Sequence, residues 1–108
     1  MSDTYYVKTF GGLEITNDNV TVNIVELFGK QLVNLLQVLL FHSEKPVQKD
    51  ELIDILWPES KNPSSALKFS IFRLRAELNE IEFFKDKEVI VTTRNGYILN
   101  PNLDWNID

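Results

Sequence analysis

The sequence predicts an α+β fold: an N-terminal antiparallel β-sheet, three helices and a closing β-hairpin. Three observations predict it. Short β-branched and aromatic runs, punctuated by glycine and asparagine, occupy residues 4–24. Apolar residues then recur at steps of three and four in three separate segments between Phe28 and Ile81. Near the end, Asn95-Gly96 separates two β-rich runs, the strongest two-residue hairpin signal because both residues tolerate positive φ.

Each element follows from its own pattern. Thr4 to Phe10 reads as a strand, Gly11-Gly12 interrupts it, and Leu13 to Thr16 forms a second. After the Asn17-Asp18-Asn19 turn, Val20, Val22 and Ile24 alternate with Thr21 and Asn23 in a third strand. One face of this sheet is expected to pack on the helices. Phe28, Leu32, Leu35, Leu36, Leu39 and Leu40 predict a first helix reaching about His42, where Ser43 to Pro46 end it. Asp50 to Trp57 predicts a second, with Asp50 and Glu51 matched to its N-terminal dipole and Pro58 as its stop. The third runs from Asn62, a residue suited to N-capping, through Pro63 to Ile81. Val89–Thr93 and Tyr97–Leu99 supply the hairpin, with Arg94 at its tip. The polar ending NPNLDWNID is expected to carry no regular pattern.

A chain of 108 residues makes one domain that buries roughly two thirds of its unfolded surface. Without cysteine, disulfides, thiolate zinc sites and iron–sulfur clusters are excluded, which fits a reducing cytoplasm. The start has no basic region followed by an apolar run, and Leu32–Phe41 is too short to cross a bilayer. An enzyme is hard to build. The single histidine, His42, has no Cys or second His to work with, and no phosphate-cradling glycine motif occurs. Asp50, Glu51 and Asp54 read as a solvated, dipole-matched helix face rather than a metal cluster. Neither cofactor nor metal is expected.

The third helix carries the functional signal. Leu67, Ile71, Leu74, Leu78 and Ile81 fall in one narrow sector, the expected buried face. The opposite side bears Ser65, Lys68, Phe69, Phe72 and Ala76, flanked by Arg73 and Arg75. Aromatics facing outward between arginines suit a partner surface better than bare solvent. The net charge of −5 opposes nucleic-acid binding, yet Lys61, Lys68, Arg73 and Arg75 are accompanied by no acid from Lys61 to Ala76. Local sign matters more than the total when the Debye length is about 8 Å. An α-helix fits the major groove of B-DNA, where arginine pairs with guanine and apolar groups meet the thymine methyl. Arg94 suits the adjacent minor groove. Spacing alone leaves a second possibility open: both helix arginines pair with Glu77, Asp54 or similar acids, and the phenylalanines pack in a larger core or a dimer.

Four segments together bear a resemblance: KTFGGLEI at Lys8–Ile15, DELIDILWP at Asp50–Pro58, NPSSALKFSIFRLRAEL at Asn62–Leu78 and TTRNGYILNP at Thr92–Pro101. The chain resembles the winged helix-turn-helix of OmpR/PhoB-type effector domains. It is closer still to the N-terminal DNA-binding domain of SARP-type (AfsR/SARP family) transcriptional activators. Each motif is weak alone; LWP, a later RLR and a closing R-x-G-Y in this order are fairly specific. The resemblance implies sequence-specific double-stranded DNA binding by a bacterial, cytoplasmic transcriptional regulator. Residues 4–24 would form the sheet, four-stranded in type with three strands evident. Residues 28–81 would be the helical core, with 63–81 as recognition helix, and 88–100 the wing. It also implies that Lys68, Phe69, Phe72, Arg73 and Arg75 face DNA with Arg94 in the wing, while Tyr97 matches the wing's largely structural aromatic, with a phosphate contact within reach. Lys61 would join Lys68 and Arg94 in neutralising phosphate. The loop from Trp57 to Pro63 corresponds to the region that touches RNA polymerase, and a homodimer on DNA is in keeping with the family. Phe72 stands where a polar or basic residue is common. The ending resembles the junction before a further helical domain, so the chain is expected to be an N-terminal piece of a longer regulator. The competing reading is a winged-helix protein-interaction or dimerisation module that binds no DNA.

Overall fold

Burial of one stripe from each helix against two small sheets builds the core of the structure, a computed structural model that describes residues 4–108. In chain order the elements are β1 (Thr4–Lys8), β2 (Glu14–Asn17), β3 (Val20–Asn23), α1 (Ile24–Leu27), α2 (Lys30–Phe41), β4 (Val47–Gln48), α3 (Lys49–Leu56) and α4 (Pro63–Asn79). A 3-10 turn, Glu82–Phe84, follows, and then β5 (Ile90–Thr92), β6 (Gly96–Leu99) and β7 (Asp104–Ile107). The first sheet has the order β3-β2-β1-β7 and the second β4-β6-β5.

The three N-terminal strands pair antiparallel as the alternation predicts, with Asp18 in the left-handed region at the β2–β3 turn. Tyr5, Val7 and Ile15 point into the core, while Tyr6 and Lys8 point out. Ile24, expected as the end of a strand, instead starts α1: the Asn23 side chain accepts the Glu26 N–H at 3.3 Å and nucleates a single turn. The predicted third helix is therefore the fourth. It ends at Asn79, so Ile81 is buried beyond it rather than on it. Asn62 occupies the N-cap position without a side-chain capping bond; its own N–H donates to Ser60 Oγ at 3.2 Å.

The ending overturns the expectation of no pattern. Asp104–Ile107 is the fourth strand of the first sheet, parallel to β1, with Tyr5 beside Trp105 and Val7 beside Ile107. Leu103, Trp105 and Ile107 alternate with Asp104, Asn106 and Asp108, a period-two signal hidden by its short length and high polarity. Both ends are pinned to β1. Thr4 Oγ1 donates to Asp104 at 2.8 Å, and the Thr9 N–H donates to Asp108 at 2.9 Å. Trp105 enters an aromatic cluster, its ring centroid 5.3 Å from Tyr5 and 5.8 Å from Phe84. Tyr5 and Phe84 are themselves 4.9 Å apart. The cluster ties the N-terminal sheet to the chain leaving α4.

The hairpin forms where predicted, but its turn differs from the expected Asn-Gly one. Thr92 pairs with Tyr97, the Thr93 N–H donates to Gly96 O, and Arg94 and Asn95 make the two-residue loop. Neither Asn95 nor Gly96 has positive φ. Gly96 is required for a different reason: β4, which no sequence signal announces, crosses it directly. A Cβ there would meet the carbonyl of Val47, 2.7 Å from its carbon, and lie 2.9 Å from Gln48 Cα. The close approach lets the Lys49 N–H donate to Asn95 O at 2.9 Å, so α3 begins at the hairpin.

Gly96→Ala is expected to lose about 1–3 kcal/mol of unfolding free energy, because backbone must shift to admit the methyl group. A urea titration followed by circular dichroism checks it. In the same assay Trp105→Ala is expected to cost roughly 2 kcal/mol, below the range for a fully buried tryptophan because Trp105 is only half-buried.

Candidate nucleic-acid interface

α4 is 17 residues of one helix with two unlike faces. Leu67, Ile71, Leu74 and Leu78 are sealed in the core and contact the α2 and α3 side. Pro63 supplies the first turn, where its missing N–H is no loss. The other face is open. Ser64, Ser65, Lys68, Phe69, Phe72, Arg73 and Ala76 are all exposed, Phe69 at 62% and Phe72 at 71%. The rings are thus neither in the monomer's core nor covered by another element of it.

The two arginines diverge in their surroundings. Arg73 lies over its own helix, its Cζ 5.9 Å from the Phe69 centroid and its Nη2 3.8 Å from Glu77 Oε1. Glu77 is among the acids that spacing alone offers as a partner. The pair is long and largely solvated, of a kind worth about 0.3–0.5 kcal/mol, so a phosphate or guanine can displace the carboxylate. Arg75 turns toward the hairpin. Its Nη2 donates to Ile90 O at 3.1 Å and to Thr92 Oγ1 at 2.7 Å, which uses both protons of that nitrogen. Its Cζ lies 5.9 Å from the Tyr97 ring, and Lys49 Nζ lies at the same distance from that ring. Tyr97 is 5% exposed, a packed residue between two cations.

Lys61 is exposed in the loop between α3 and α4, and Arg94 is exposed at the hairpin tip, two residues past the Thr92 that Arg75 holds. The loop from Trp57 to Asn62 presents Pro58, Glu59, Ser60, Lys61 and Asn62 to solvent, while Trp57 packs on the core. The fold therefore brings Lys68, Phe69, Phe72 and Arg73 together on one helix face, and couples Arg75 to the hairpin that carries Tyr97 and Arg94. Sequence reasoning missed Lys49, Ile90 and Thr92 as the groups that fasten helix to hairpin. The alternation at 90–92 was visible; which carbonyl would meet a guanidinium was not. Among the described residues no group of His, Cys, Asp and Glu could hold a metal ion, and no helix is long and apolar enough to cross a membrane.

Comparison with known proteins gives this geometry a family. No curated protein sequence matches the chain. In fold it is similar to EmbR of Mycobacterium tuberculosis, solved in complex with a low-affinity phosphopeptide, at 23% identity and a TM-score of 0.65. That match covers 88% of this chain but 24% of EmbR, so the chain spans about a quarter of that protein. It is similar to the DNA-binding domain of E. coli CadC, with 27% identity, TM-score 0.60, and 80% and 77% of the two chains covered. It is also similar to the C-terminal domain of the nisin resistance regulator NsrR, a lantibiotic response regulator. There the identity is 27% and the TM-score 0.60, over 84% of this chain and 86% of that one. The family model described as "Transcriptional regulatory protein, C terminal" matches residues 17–99. With most of its length in that match, the chain belongs to this family, the winged helix DNA-binding domains of OmpR/PhoB type.

Proposed function

We propose that this domain binds double-stranded DNA sequence-specifically for a bacterial transcriptional regulator, with α4 in the major groove and the β5–β6 hairpin at the adjacent minor groove. The observation that carries the reading is the outward face of α4: two exposed rings and an exposed arginine in a stretch, Lys61 to Ala76, that holds no acid and is bordered by Glu77. Lys68, Phe69, Phe72 and Arg73 address the groove, where Arg73 contacts a base edge or a phosphate. Lys61, Lys68 and Arg94 neutralise phosphate. Arg75 keeps Nη1 and Nε for a groove-edge phosphate while Nη2 holds the hairpin. Tyr97 is the floor on which that arginine rests.

Family membership supports the reading, as does the likeness to CadC, whose matched region is a DNA-binding domain. We extend the proposal to a longer regulator of which this domain is one part, working in the cytoplasm. RNA polymerase would meet the exposed loop before α4, and two copies would bind adjacent half-sites. A second reading draws on one observation, the size of the uncovered Phe69–Phe72 surface. It makes the same face a protein-interaction or dimerisation surface, and sedimentation at several concentrations separates the two. A tight dimer in free solution that hides α4 could not place it in a groove.

Arg73→Ala is expected to lose on the order of 1–3 kcal/mol of specific DNA binding while leaving unfolding free energy within about 0.5 kcal/mol. Arg75→Ala is expected to weaken both, with stability falling by roughly 2 kcal/mol as two charge-assisted hydrogen bonds go. Parallel gel-shift and urea titrations read out this contrast; equal operator affinity for Arg73→Ala and the parent chain would remove Arg73 from the interface. Four phosphate-contacting cations, Lys61, Lys68, Arg75 and Arg94, predict a log–log salt slope near −3.6 per domain, and Arg94→Ala is expected to reduce it by about one. Fluorescence anisotropy between roughly 50 and 200 mM salt, the range over which such complexes lose affinity, measures it.

A further inference from the structure

The side chains offered by α4 point to the kind of base sequence it reads. We infer that the domain selects sites in which a guanine adjoins thymines, with Phe69 and Phe72 each seating a thymine C5 methyl and Arg73 taking the guanine. The inference rests on the DNA-binding reading above and gives that reading a substrate class.

Adenine is read in the major groove by Asn or Gln, and cytosine by Glu or Asp. From Pro63 to Ala76 the helix contains none of these four residues. What it exposes there is Ser64, Ser65, Lys68, Phe69, Phe72, Arg73 and Ala76. Among the bases only thymine places an apolar group in the major groove, and guanine is the base that arginine pairs with in bidentate fashion. Two rings left 62% and 71% exposed in the free protein gain most from the one base that covers them with a methyl group.

Spacing agrees with that choice. Three residues of α-helix separate Phe69 from Phe72, about 4.5 Å along the axis. Successive base pairs lie about 3.4 Å apart, so the rings address the same or neighbouring steps. Arg73 is one turn on from Phe69, and its guanidinium is held between that ring, 5.9 Å from Cζ, and the Glu77 carboxylate at 3.8 Å. Ring and guanidinium therefore act as one unit. The apolar part meets a methyl group while the fork reaches the base beside it.

The test uses the whole 108-residue chain and a selection from random duplex DNA. Bound duplexes are expected to be enriched in guanine next to thymine. In one enriched duplex each thymine is then replaced by uracil, which removes the methyl and leaves every hydrogen bond in place. At the contacted positions affinity is expected to fall about fourfold per methyl, the factor that corresponds to one buried CH₂. Phe72→Ala is expected to abolish the uracil effect at one position and leave it at the other, while Phe72→Leu keeps both. Tight binding that is indifferent to uracil overturns the thymine inference and leaves DNA binding standing. Failure to enrich any duplex, or self-association abolished by Phe72→Ala, overturns the DNA reading and the inference with it.

Discussion

Burial of Leu67, Ile71, Leu74 and Leu78 sets the rotation of α4 about its own axis, and the rest of the surface chemistry follows from that rotation. Each of these side chains is almost wholly removed from water, worth about 1.5–3 kcal/mol apiece. Turning the helix by one residue would trade that stripe for Lys68 and Phe72 and expose leucine in their place. The energy at stake far exceeds what two solvent-facing rings cost. Phe69, Phe72 and Arg73 are therefore outward because the aliphatic side chains are inward, and the composition of the open face is specified by the core beneath it.

The hairpin is placed by contacts of a different kind. Arg75 reaches from α4 to Ile90 O and Thr92 Oγ1, Tyr97 fills the space below its guanidinium, and Gly96 lets β4 lie against β6. These are polar or close-backbone contacts among residues far apart in sequence. They fix the angle between helix and hairpin, and so the position of Arg94, more narrowly than apolar packing alone would. The first sheet has a separate role. It closes the far side of the core, and β7 locks the chain's end onto β1 through Asp104, Asp108 and Trp105. The family match runs from residue 17 to 99 and so includes the helices and hairpin but leaves out β1, β7 and all of β2 except Asn17. The surface proposed for DNA thus lies in the part that the family shares.

An acidic chain can present a basic face because charge is segregated along it. Asp50, Glu51 and Asp54 are on α3, and Glu80 and Glu82 lie beyond the end of α4, while Lys61 to Ala76 is free of acids. Glu77 marks the border, and its loose contact with Arg73 orients the cation without neutralising it firmly. At physiological ionic strength charges more than about 8 Å apart are largely screened, so a polyanion at α4 responds mainly to the local cations.

The sequence by itself determined the three N-terminal strands, the three longer helices and the hairpin in their order, and the two faces of α4, because hydrophobic periodicity records directly which side of an element meets the core. It also placed Lys68, Phe69, Phe72 and Arg73 on one surface, since residues three and four apart on a helix are neighbours whatever the fold. Only the tertiary structure decided the rest. It paired Asp104–Ile107 with β1, made Gly96 a crossing point for β4, started a helical turn at Ile24, and sent Arg75 to the hairpin while Arg73 stayed on the open face. Those outcomes depend on which backbone groups meet across long loops. Period and propensity describe a residue's relation to its neighbours in the chain, and carry no term for a carbonyl fifteen residues away.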